Sequence, residues 1–415
     1  SGNPVSSDAN ADRVAATLCR MRGAALKMGQ MLSIQDESLL PPALTRALNQ
    51  VRQGADAMPK YQLLQQLESQ LGKDWRTKFA SFDMVPFAAA SIGQVHRASI
   101  IDTANGSSSI RQVVVKVQYP GVANSIESDL RNLTMLVKLT GFAPKGLFLD
   151  NVIRVGREEL KVECNYLNEM ANQKAFQKLV LADPILQENN VVVPSVVEEL
   201  TTEQVLVSDY SPGGTIDKVT LLDQDEKNRI GRMILYLTMK ELFVWRLMQT
   251  DPNWGNFLYD VGTKQTTLID FGATREYPKS FVDGYLRIVW ANANRDEATL
   301  MELSHKMGFL TGEENALMLE AHKQSGFTVG EPFATDEPFD FQGSKISSRM
   351  SEHTSVFLKH RLTPPPEEVY TLHRKLAGAY MLCIRLGAKV QCRDMLEEVV
   401  RDHVFEDGLP HPMHG

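Results

Sequence analysis

The sequence predicts an α+β fold in which a β-rich region lies between two helical regions. Residues 12–34 carry apolar side chains at alternating steps of three and four, the pattern of an amphipathic helix. The runs "IGQVHRASI" and "RQVVVKVQ" are β-rich and are joined by the turn-forming "DTANGSSS". Beyond residue 210 helical patterns dominate. We therefore expect a helical extension, then a lobe built on an antiparallel hairpin, then a helical lobe.

The composition is that of an ordinary globular protein of 415 residues, with 43% hydrophobic and 23% charged side chains. A net charge of -7 gives no reason to expect nucleic acid as a partner. No apolar run reaches the length of a membrane span. The four cysteines lack metal-site spacing, so we expect reduced thiols that mostly pack in the core. The chain starts with Ser1 rather than Met, so we expect a trimmed piece whose upstream targeting segment would not be visible.

Further elements follow from local signals. The pairs Pro41-Pro42 and Met58-Pro59 each open a helical stretch, and "TPPPEE" near the end is another helix start. The segment from Asn151 to Val180 is charged and helix-forming throughout. "QVLVSDYSPGG" reads as a strand that enters a Gly-Pro link.

Three polar residues have the order and spacing of a phosphoryl-transfer site. Asp251 and Asn256 are separated by four residues in "TDPNWGNFLYD", and Asp270 follows in "LIDFG" at the end of a β-like run. Protein kinases use this order, with the first Asp in the catalytic loop and the other two residues holding Mg²⁺ through hard oxygen atoms. A plain turn would explain "DPNWGN" alone, but it does not explain the Asp-Phe-Gly at the right distance.

A lysine and a hinge complete the nucleotide hypothesis. Lys116 lies within the β-rich "VVVKVQ", where kinases place the lysine that contacts the α- and β-phosphates. A lysine in an apolar strand needs a partner, and spacing leaves three candidates for it. These are Glu159, Glu163 and Glu169. Asp209 and Tyr210 end the strand that resembles the adenine-binding hinge, a weak signal by itself.

An alanine-rich loop stands where kinases have glycines. When the kinase pattern GxGxxGxV is placed on "AAASIGQV", its first two glycines fall on alanines. Alanine loses the freedom of glycine at positive φ, and its Cβ keeps phosphate away from the backbone. The loop is therefore expected to hold phosphate more weakly or in another pose. The alternative is a small-residue loop packed beneath a helix. The predicted nucleotide contacts here are Ala88, Ala89, Ala90, Ser91, Gly93 and Val95.

Together the motifs resemble the UbiB (aarF-domain) family of atypical kinases. The segments that carry the resemblance are "KMGQ", "AAASIGQVH", "VVVKVQYPG", "QTDPNWGNFLYD" and "LIDFGATREY". "FLTGEE", "PPPEE" and "LHRKLAG" are similar to its mitochondrial ubiquinone-biosynthesis branch. The resemblance implies a bilobal protein-kinase-like fold whose helical extension covers the active site. It also implies ATP/ADP and Mg²⁺ as ligands, ATPase activity, and a place on the matrix face of the inner mitochondrial membrane. The partners it implies are membrane lipid, coenzyme Q biosynthetic enzymes and a quinone or lipid precursor.

The resemblance also assigns roles to single residues. The family's KxGQ motif falls on Lys27, Gly29 and Gln30, which would form a regulatory gate over the active site together with Glu163. In this reading the alanine loop is a restraint that disfavours ordinary transfer of phosphate to protein. The alternative for Lys27 is an ordinary solvated lysine on a helix surface.

One position departs from the family pattern. The family's ExD motif falls on Glu163-Cys164-Asn165, so an amide replaces its second acidic residue. Glu169 then best matches the helix glutamate that pairs with Lys116.

The sequence also argues against an ordinary protein kinase. "MQTD" replaces His-Arg-Asp, and no Ala-Pro-Glu segment follows Asp270, so the loop that displays a peptide substrate is missing. We expect an extension at residues 1–82, an amino-terminal lobe at 83–210 and a helical lobe at 211–415. Two rival functions stay open. One is a small-molecule or lipid-precursor kinase similar to aminoglycoside phosphotransferases, and the other is a nucleotide-switched chaperone or scaffold.

Overall fold

The computed structural model describes residues 58–90, 92–102, 108–140, 148–216, 222–251 and 253–414. Its architecture is the predicted α+β one, with a five-stranded sheet in the first part and mostly helices in the second. Each part has its own apolar core. The helix predicted at residues 12–34 and the one predicted to begin at Pro41 lie outside the described residues.

The five-stranded sheet is built on the predicted hairpin. Its strands are β1 Ser81–Phe82, β2 Ala88–Ala89, β3 Gly93–Asp102, β4 Ser109–Gln118 and β6 Val205–Asp209, whereas β5 Val191–Val192 belongs to a second sheet. The long strands β3 and β4 pair antiparallel over ten residues each, from the Gly93–Gln118 pair to the Asp102–Ser109 pair. The sheet order is β1-β3-β4-β6, with β2 added at the loop end of β3.

One face of this sheet is covered by the end of the predicted extension. Helix α1 (Lys60–Leu71) and a 3-10 turn at Trp75–Lys78 pack on Val113, Val115 and Val117. Strand side chains alternate between faces, so Lys116 and Val114 point away from this core. The opposite face of the sheet is therefore the one that meets the second lobe.

The charged stretch at residues 151–180 forms two helices rather than one, α3 (Leu149–Glu163) and α4 (Tyr166–Ala182). Helix α2 (Val122–Thr140) precedes them and the short α5 (Pro184–Glu188) follows them. The break comes at Asn165, whose side chain accepts a hydrogen bond from the Leu167 N–H at 2.9 Å and so caps α4. The residue that departs from the family motif thus starts a helix.

The second lobe is helical, with short strands around its loops. Its strands are β7 Gly214–Thr215, β8 Leu247–Gln249, β9 Phe257–Asp260, β10 Gln265–Leu268, β11 Thr274–Glu276, β12 Phe339–Asp340 and β13 Lys389–Val390. Its helices are α6 Gln224–Met239, α7 Lys279–Ala293, α8 Glu297–Lys306, α9 Ala316–Gly330, α10 Ile346–Ser351, α11 Thr354–His360, α12 Glu367–Leu386 and α13 Arg393–Asp402. As predicted, α12 starts directly after the proline run. Strands β9 and β10 form the hairpin that carries the polar motifs on its flanks.

The core of the second lobe contains the central helices and the Phe of the Asp-Phe-Gly segment. Phe271 is 1% exposed and packs with side chains of α4, α6 and α12. Cys383 and Cys392 are buried free thiols and Cys164 is half-buried, as expected for reduced core cysteines, whereas Cys19 lies outside the described residues. In the part of the chain that the structure describes, no helix is both long and apolar enough to cross a membrane.

Candidate functional site

Lys116 lies at the centre of a three-residue ionic cluster between the two lobes. Its Nζ donates to both carboxylate oxygens of Glu169, at 2.8 and 2.9 Å, and lies 3.5 Å from Oδ2 of Asp270. Of the three glutamates that spacing left open, tertiary structure selects Glu169, in the first turn of α4. Glu169 is almost fully buried, whereas the side chain of Asp270 is 32% exposed. The cluster therefore opens toward solvent at Asp270.

Burial and the two carboxylates have opposite effects on the charges in this cluster. Burial disfavours the ammonium of Lys116, but Asp270 and Glu169 outweigh it and raise the pKa of Lys116 well above its usual value. Burial also raises the pKa of Glu169 to about 7, against the lowering effect of Lys116. Lys116 is thus a permanent cation at neutral pH, in a position suited to anionic phosphate oxygens.

The backbone of Asp270 has an uncommon conformation. Its φ is 65°, in the left-handed region that few non-glycine residues adopt and that is enriched at functional sites. The Gly272 N–H donates to its Oδ1 at 3.3 Å. Phe271 contacts Phe176 of α4 with ring centroids 5.0 Å apart, and its carbonyl accepts from Asn172 at 3.2 Å. The helix that carries Glu169 therefore also fixes the turn that carries Asp270.

Asp251 and Asn256 are joined directly. The amide nitrogen of Asn256 donates to Oδ2 of Asp251 at 3.0 Å, which leaves the amide oxygen as the atom available to a cation. The Ile269 N–H donates to the Asn256 carbonyl at 2.9 Å, so the catalytic-loop segment and the Asp270 segment are neighbours. No group of three or more His, Cys, Asp or Glu side chains suited to a metal occurs among the described residues. Asn256 and Asp270 fit Mg²⁺ only as part of a set completed by phosphate and water oxygens.

The alanine-rich segment forms a tight hairpin with β3. Ala88 pairs with Val95 and Ala89 with Gln94, and the Ala90 N–H donates to the Gly93 carbonyl at 2.9 Å. A Cβ on Gly93 would lie 2.4 Å from the Val117 carbonyl and 2.8 Å from the Tyr166 hydroxyl. Gly93 is therefore required by packing against the protein itself. Ser91 lies outside the described residues.

The hinge residues offer carbonyl oxygens rather than N–H groups. The Asp209 N–H donates to the Ser195 carbonyl at 2.9 Å, and the Tyr210 N–H donates to Gln112 at 3.0 Å. The carboxylate of Asp209 is paired with Arg111 at 2.5 Å. A base that binds at Asp209 and Tyr210 would meet carbonyl oxygens there.

Sequence reasoning missed how the catalytic loop is supported. In "MQTD", Gln249 donates to the Asp270 carbonyl at 3.2 Å and accepts from Lys375 at 3.2 Å. Lys375 is paired with the buried Glu241 at 3.1 Å. Two adjacent cations in the apolar helix α12 were the available signal, since buried charges need partners. The Gln249 amide and the buried Lys375–Glu241 ion pair thus support the catalytic loop.

A second buried pair joins the loop to the first lobe. Arg374 donates to the Thr250 carbonyl at 3.1 Å and to Glu159 of α3 at 2.8 Å. Glu159, a candidate partner of Lys116 by spacing, belongs to this pair instead. One arginine therefore connects α12, the catalytic loop and α3.

Of the four residues of the predicted regulatory gate, Glu163 lies among the described residues. Glu163 is 7% exposed at the end of α3 and takes part in further interactions. A Cβ on Gly272 would lie 3.3 Å from Glu169 Oε2, 3.5 Å from Asp270 Oδ1 and 3.6 Å from Glu163 Cγ, so three carboxylate side chains surround this glycine. Lys27, Gly29 and Gln30 lie outside the described residues, and their role stays a prediction.

A cavity of about 220 Å³ lies beside the catalytic loop. It is bordered by α3, by Thr250, by residues 272–275 and by the start of α12. Its charged lining contains Arg154, Arg275 and Glu158. A small molecule in this cavity would lie beside the segments that carry Asp251 and Asp270.

The fold and the site define a protein-kinase-like enzyme with a lysine–glutamate pair and an Asp-Phe-Gly turn. The ABC1 atypical kinase-like domain matches residues 50–304. The chain belongs to this family of atypical kinases. A solved structure described as a complex of Rv3197 with erythromycin, from Mycobacterium tuberculosis, supports the fold: TM-score 0.63, 24% identity, and coverage of 94% of this chain and 95% of that one.

The curated relatives narrow the type of kinase. The chain is 46% identical to atypical kinase COQ8B, mitochondrial, from Rattus norvegicus, over 95% of this chain and 73% of the relative. It is 45% identical to atypical kinase coq-8, mitochondrial, from Caenorhabditis elegans, over 98% of this chain and 53% of the relative. For atypical kinase COQ8, mitochondrial, from Saccharomyces cerevisiae, the identity is 42%, over 95% and 76%. The predictions of a UbiB-type atypical kinase and of a mitochondrial location are confirmed. The kinase-like domain also implies ATP binding.

Proposed function

We propose that this chain is an Mg-ATP-dependent atypical kinase that works as an ATPase in support of coenzyme Q biosynthesis on the matrix face of the inner mitochondrial membrane. The observation that carries the nucleotide part is the Lys116–Glu169 pair with Asp270 at 3.5 Å. Kinases need this pair and this aspartate in place together for phosphoryl transfer. The pathway and the membrane face rest on the relatives named COQ8 and on the resemblance of the motifs.

The residues divide the work as follows. Lys116 neutralises the charge of the nucleotide phosphates, and Glu169 keeps the ammonium in position. Asn256 and Asp270 would hold Mg²⁺, which when bound neutralises charge on the β- and γ-phosphate oxygens. Asp251, bonded to Asn256, orients the attacking hydroxyl of water or of an acceptor and takes its proton.

A second candidate is a kinase that acts on a small molecule. The observation in its favour is the cavity beside Thr250 and Gly272, which is large enough for a small acceptor and borders both catalytic segments. A quinone or lipid precursor would be the acceptor. A nucleotide-switched scaffold for biosynthetic enzymes is the remaining alternative, and it uses the same nucleotide site without net transfer.

The experiment follows the γ-phosphate. ATP labelled at the γ-position is incubated with the protein, Mg²⁺, phospholipid vesicles and quinone precursors. The proposal expects label in inorganic phosphate, and none of it when Asp251 is changed to Asn. Label on a precursor would replace the ATPase by the small-molecule kinase, and label that stays on bound nucleotide would favour the scaffold.

A further inference from the structure

Arg97 lies on the face of the sheet that borders the nucleotide cleft. It follows Val95 by two positions in β3, and its cross-strand neighbour is Val114, two positions before Lys116 in β4. Residues two apart in a strand share a face, so Arg97, Val95, Val114 and Lys116 point the same way. Lys116 marks the phosphate end of this face, and Arg97 lies nearer the hinge. Neither the family motifs nor the catalytic cluster uses this arginine.

The guanidinium of Arg97 connects the alanine loop to the hinge. Its Cζ lies 5.2 Å from the ring centroid of Phe87 and 4.7 Å from that of Tyr210. Its Nη2 also donates to the Tyr210 hydroxyl at 3.2 Å. Phe87 immediately precedes the alanine strand β2, and Tyr210 immediately follows β6. Three side chains from separate segments of the sheet thus form one stack on this face.

Tyr210, at the hinge end of this stack, is more constrained by neighbouring contacts than Phe87, at the loop end. On the hinge side, the Tyr210 N–H is bonded to Gln112, and Asp209 is paired with Arg111. On the loop side, Phe87 has a single backbone bond to Val95, and its side chain is 48% exposed. The Phe87 ring is therefore the part of the stack with the most freedom to move. Exposed cation–π contacts are weak enough to break and reform readily.

We propose that Arg97 is a gate residue of the nucleotide site: by stacking between Phe87 and Tyr210 it closes the base end of the cleft and limits nucleotide entry and exit. This inference rests on the nucleotide site of the proposed function and adds a residue that controls its exchange. Glycine-rich loops close over phosphate through backbone flexibility, and the alanines here restrict that flexibility. A side-chain contact at the other end of the loop provides a closing element that does not depend on glycine.

The test measures exchange of a fluorescent N-methylanthraniloyl-ADP by stopped flow, with Mg²⁺ present. Arg97→Leu keeps the bulk of the aliphatic part of the side chain but removes the guanidinium. Both association and dissociation are expected to become about tenfold faster, the rate effect of about 1.4 kcal/mol. Phe87→Leu removes the other half of the stack with the charge intact and is expected to accelerate both rates in the same way.

A control variant distinguishes loss of the gate from a general effect of removing a positive charge or of lowering stability. Arg76→Leu removes another arginine stacked on an aromatic ring, at 4.6 Å from Trp75 on the α1 side of the sheet, and is expected to behave as the parent. Rates within about twofold of the parent in Arg97→Leu would overturn the gate, since loss of a closing contact should raise both rates about tenfold. Slower association, or faster dissociation alone, would also overturn it, because Arg97 would then attract or contact the ligand. A parent protein that binds no nucleotide would overturn the proposed function and the gate together.

Discussion

Asp270 has three separate roles, one of its backbone and two of its carboxylate. It holds a left-handed backbone, contributes to the charge balance of Lys116, and is the predicted ligand of Mg²⁺. Asparagine tolerates the left-handed region about as well as aspartate, so the substitution removes charge without adding backbone strain. Because Asp270→Asn changes the charge and not the backbone preference, it tests the role of the carboxylate directly.

We expect Asp270→Asn to fold but to lose the increase in melting temperature that Mg-ATP gives the parent. The carboxylate is one of two protein ligands for the cation, and the affinity of a hard cation depends on ligand charge. Asp260→Asn is the matched control, because Asp260 lies on the β9 end of the hairpin and its side chain accepts a turn hydrogen bond from the Gly262 N–H at 2.9 Å. A Mg-ATP shift equal to that of the parent would contradict the assignment of Asp270.

Ala90 tests whether the alanine loop is functional or structural. It donates to Gly93 across the hairpin, and its φ is not in the positive range, so glycine is not required there. We expect Ala90→Gly to tighten ADP or ATP binding, because loss of the Cβ lets the backbone approach phosphate. Isothermal calorimetry measures the Kd, with Ala80→Gly, at an exposed alanine outside the loop, as control. A Kd unchanged from the parent would mean that the loop is a packing feature.

At the scale of an element, the capped start of α4 determines where Glu169 lies. Asn165 caps the helix, and Glu169 follows in its first turn, where a carboxylate is favoured by the helix dipole. The position of the Lys116 partner thus depends on a capping residue four positions before it.

We expect Asn165→Ala to lower the free energy of unfolding by about 1 kcal/mol, the usual loss of an N-cap. Asn165→Asp restores the family's acidic residue and should keep the stability, since both residues cap helices equally well. Urea denaturation of the three proteins measures this. Equal destabilisation by Ala and Asp would show that the side chain has a role other than capping.

At the scale of the whole molecule, buried ion pairs hold the catalytic loop between elements far apart in sequence. The Lys375–Glu241 and Arg374–Glu159 pairs both start from α12 and end on different parts of the chain. Breaking one partner of such a pair leaves an uncompensated buried charge and is strongly destabilising. The loop geometry is therefore a property of the assembled lobes.

Glu241 makes this arrangement pH-sensitive. Burial raises its pKa to about 7, against the lowering effect of Lys375. Between its unfolded pKa near 4.5 and about 7, the folded state binds more protons than the unfolded one, so this carboxyl stabilises less as the pH rises. We expect the melting temperature of Glu241→Gln, relative to the parent, to move in favour of the variant from about pH 5 to pH 8.

Glu297→Gln serves as the control, since Glu297 is an exposed surface partner of Lys323. Its melting temperature relative to the parent should stay nearly constant over the same range. A difference between Glu241→Gln and the parent that does not vary with pH would show that Glu241 is ionised throughout.

The sequence by itself determined the kinase-like order of Lys116, Asp251, Asn256 and Asp270, the β3–β4 hairpin and the alanine loop. These features depend on spacing within one strand or one turn, where local backbone geometry fixes the outcome. The family followed from the same motifs.

Only the tertiary structure decided which side chains meet across elements. It chose Glu169 rather than Glu159 for Lys116, and it placed Lys375 and Arg374 beneath the catalytic loop. It also divided one charged stretch into α3 and α4 at a residue that sequence comparison marked only as a departure. Contacts between residues 53 to 215 positions apart depend on how helices pack on the sheet, and the spacing along a chain does not encode that packing.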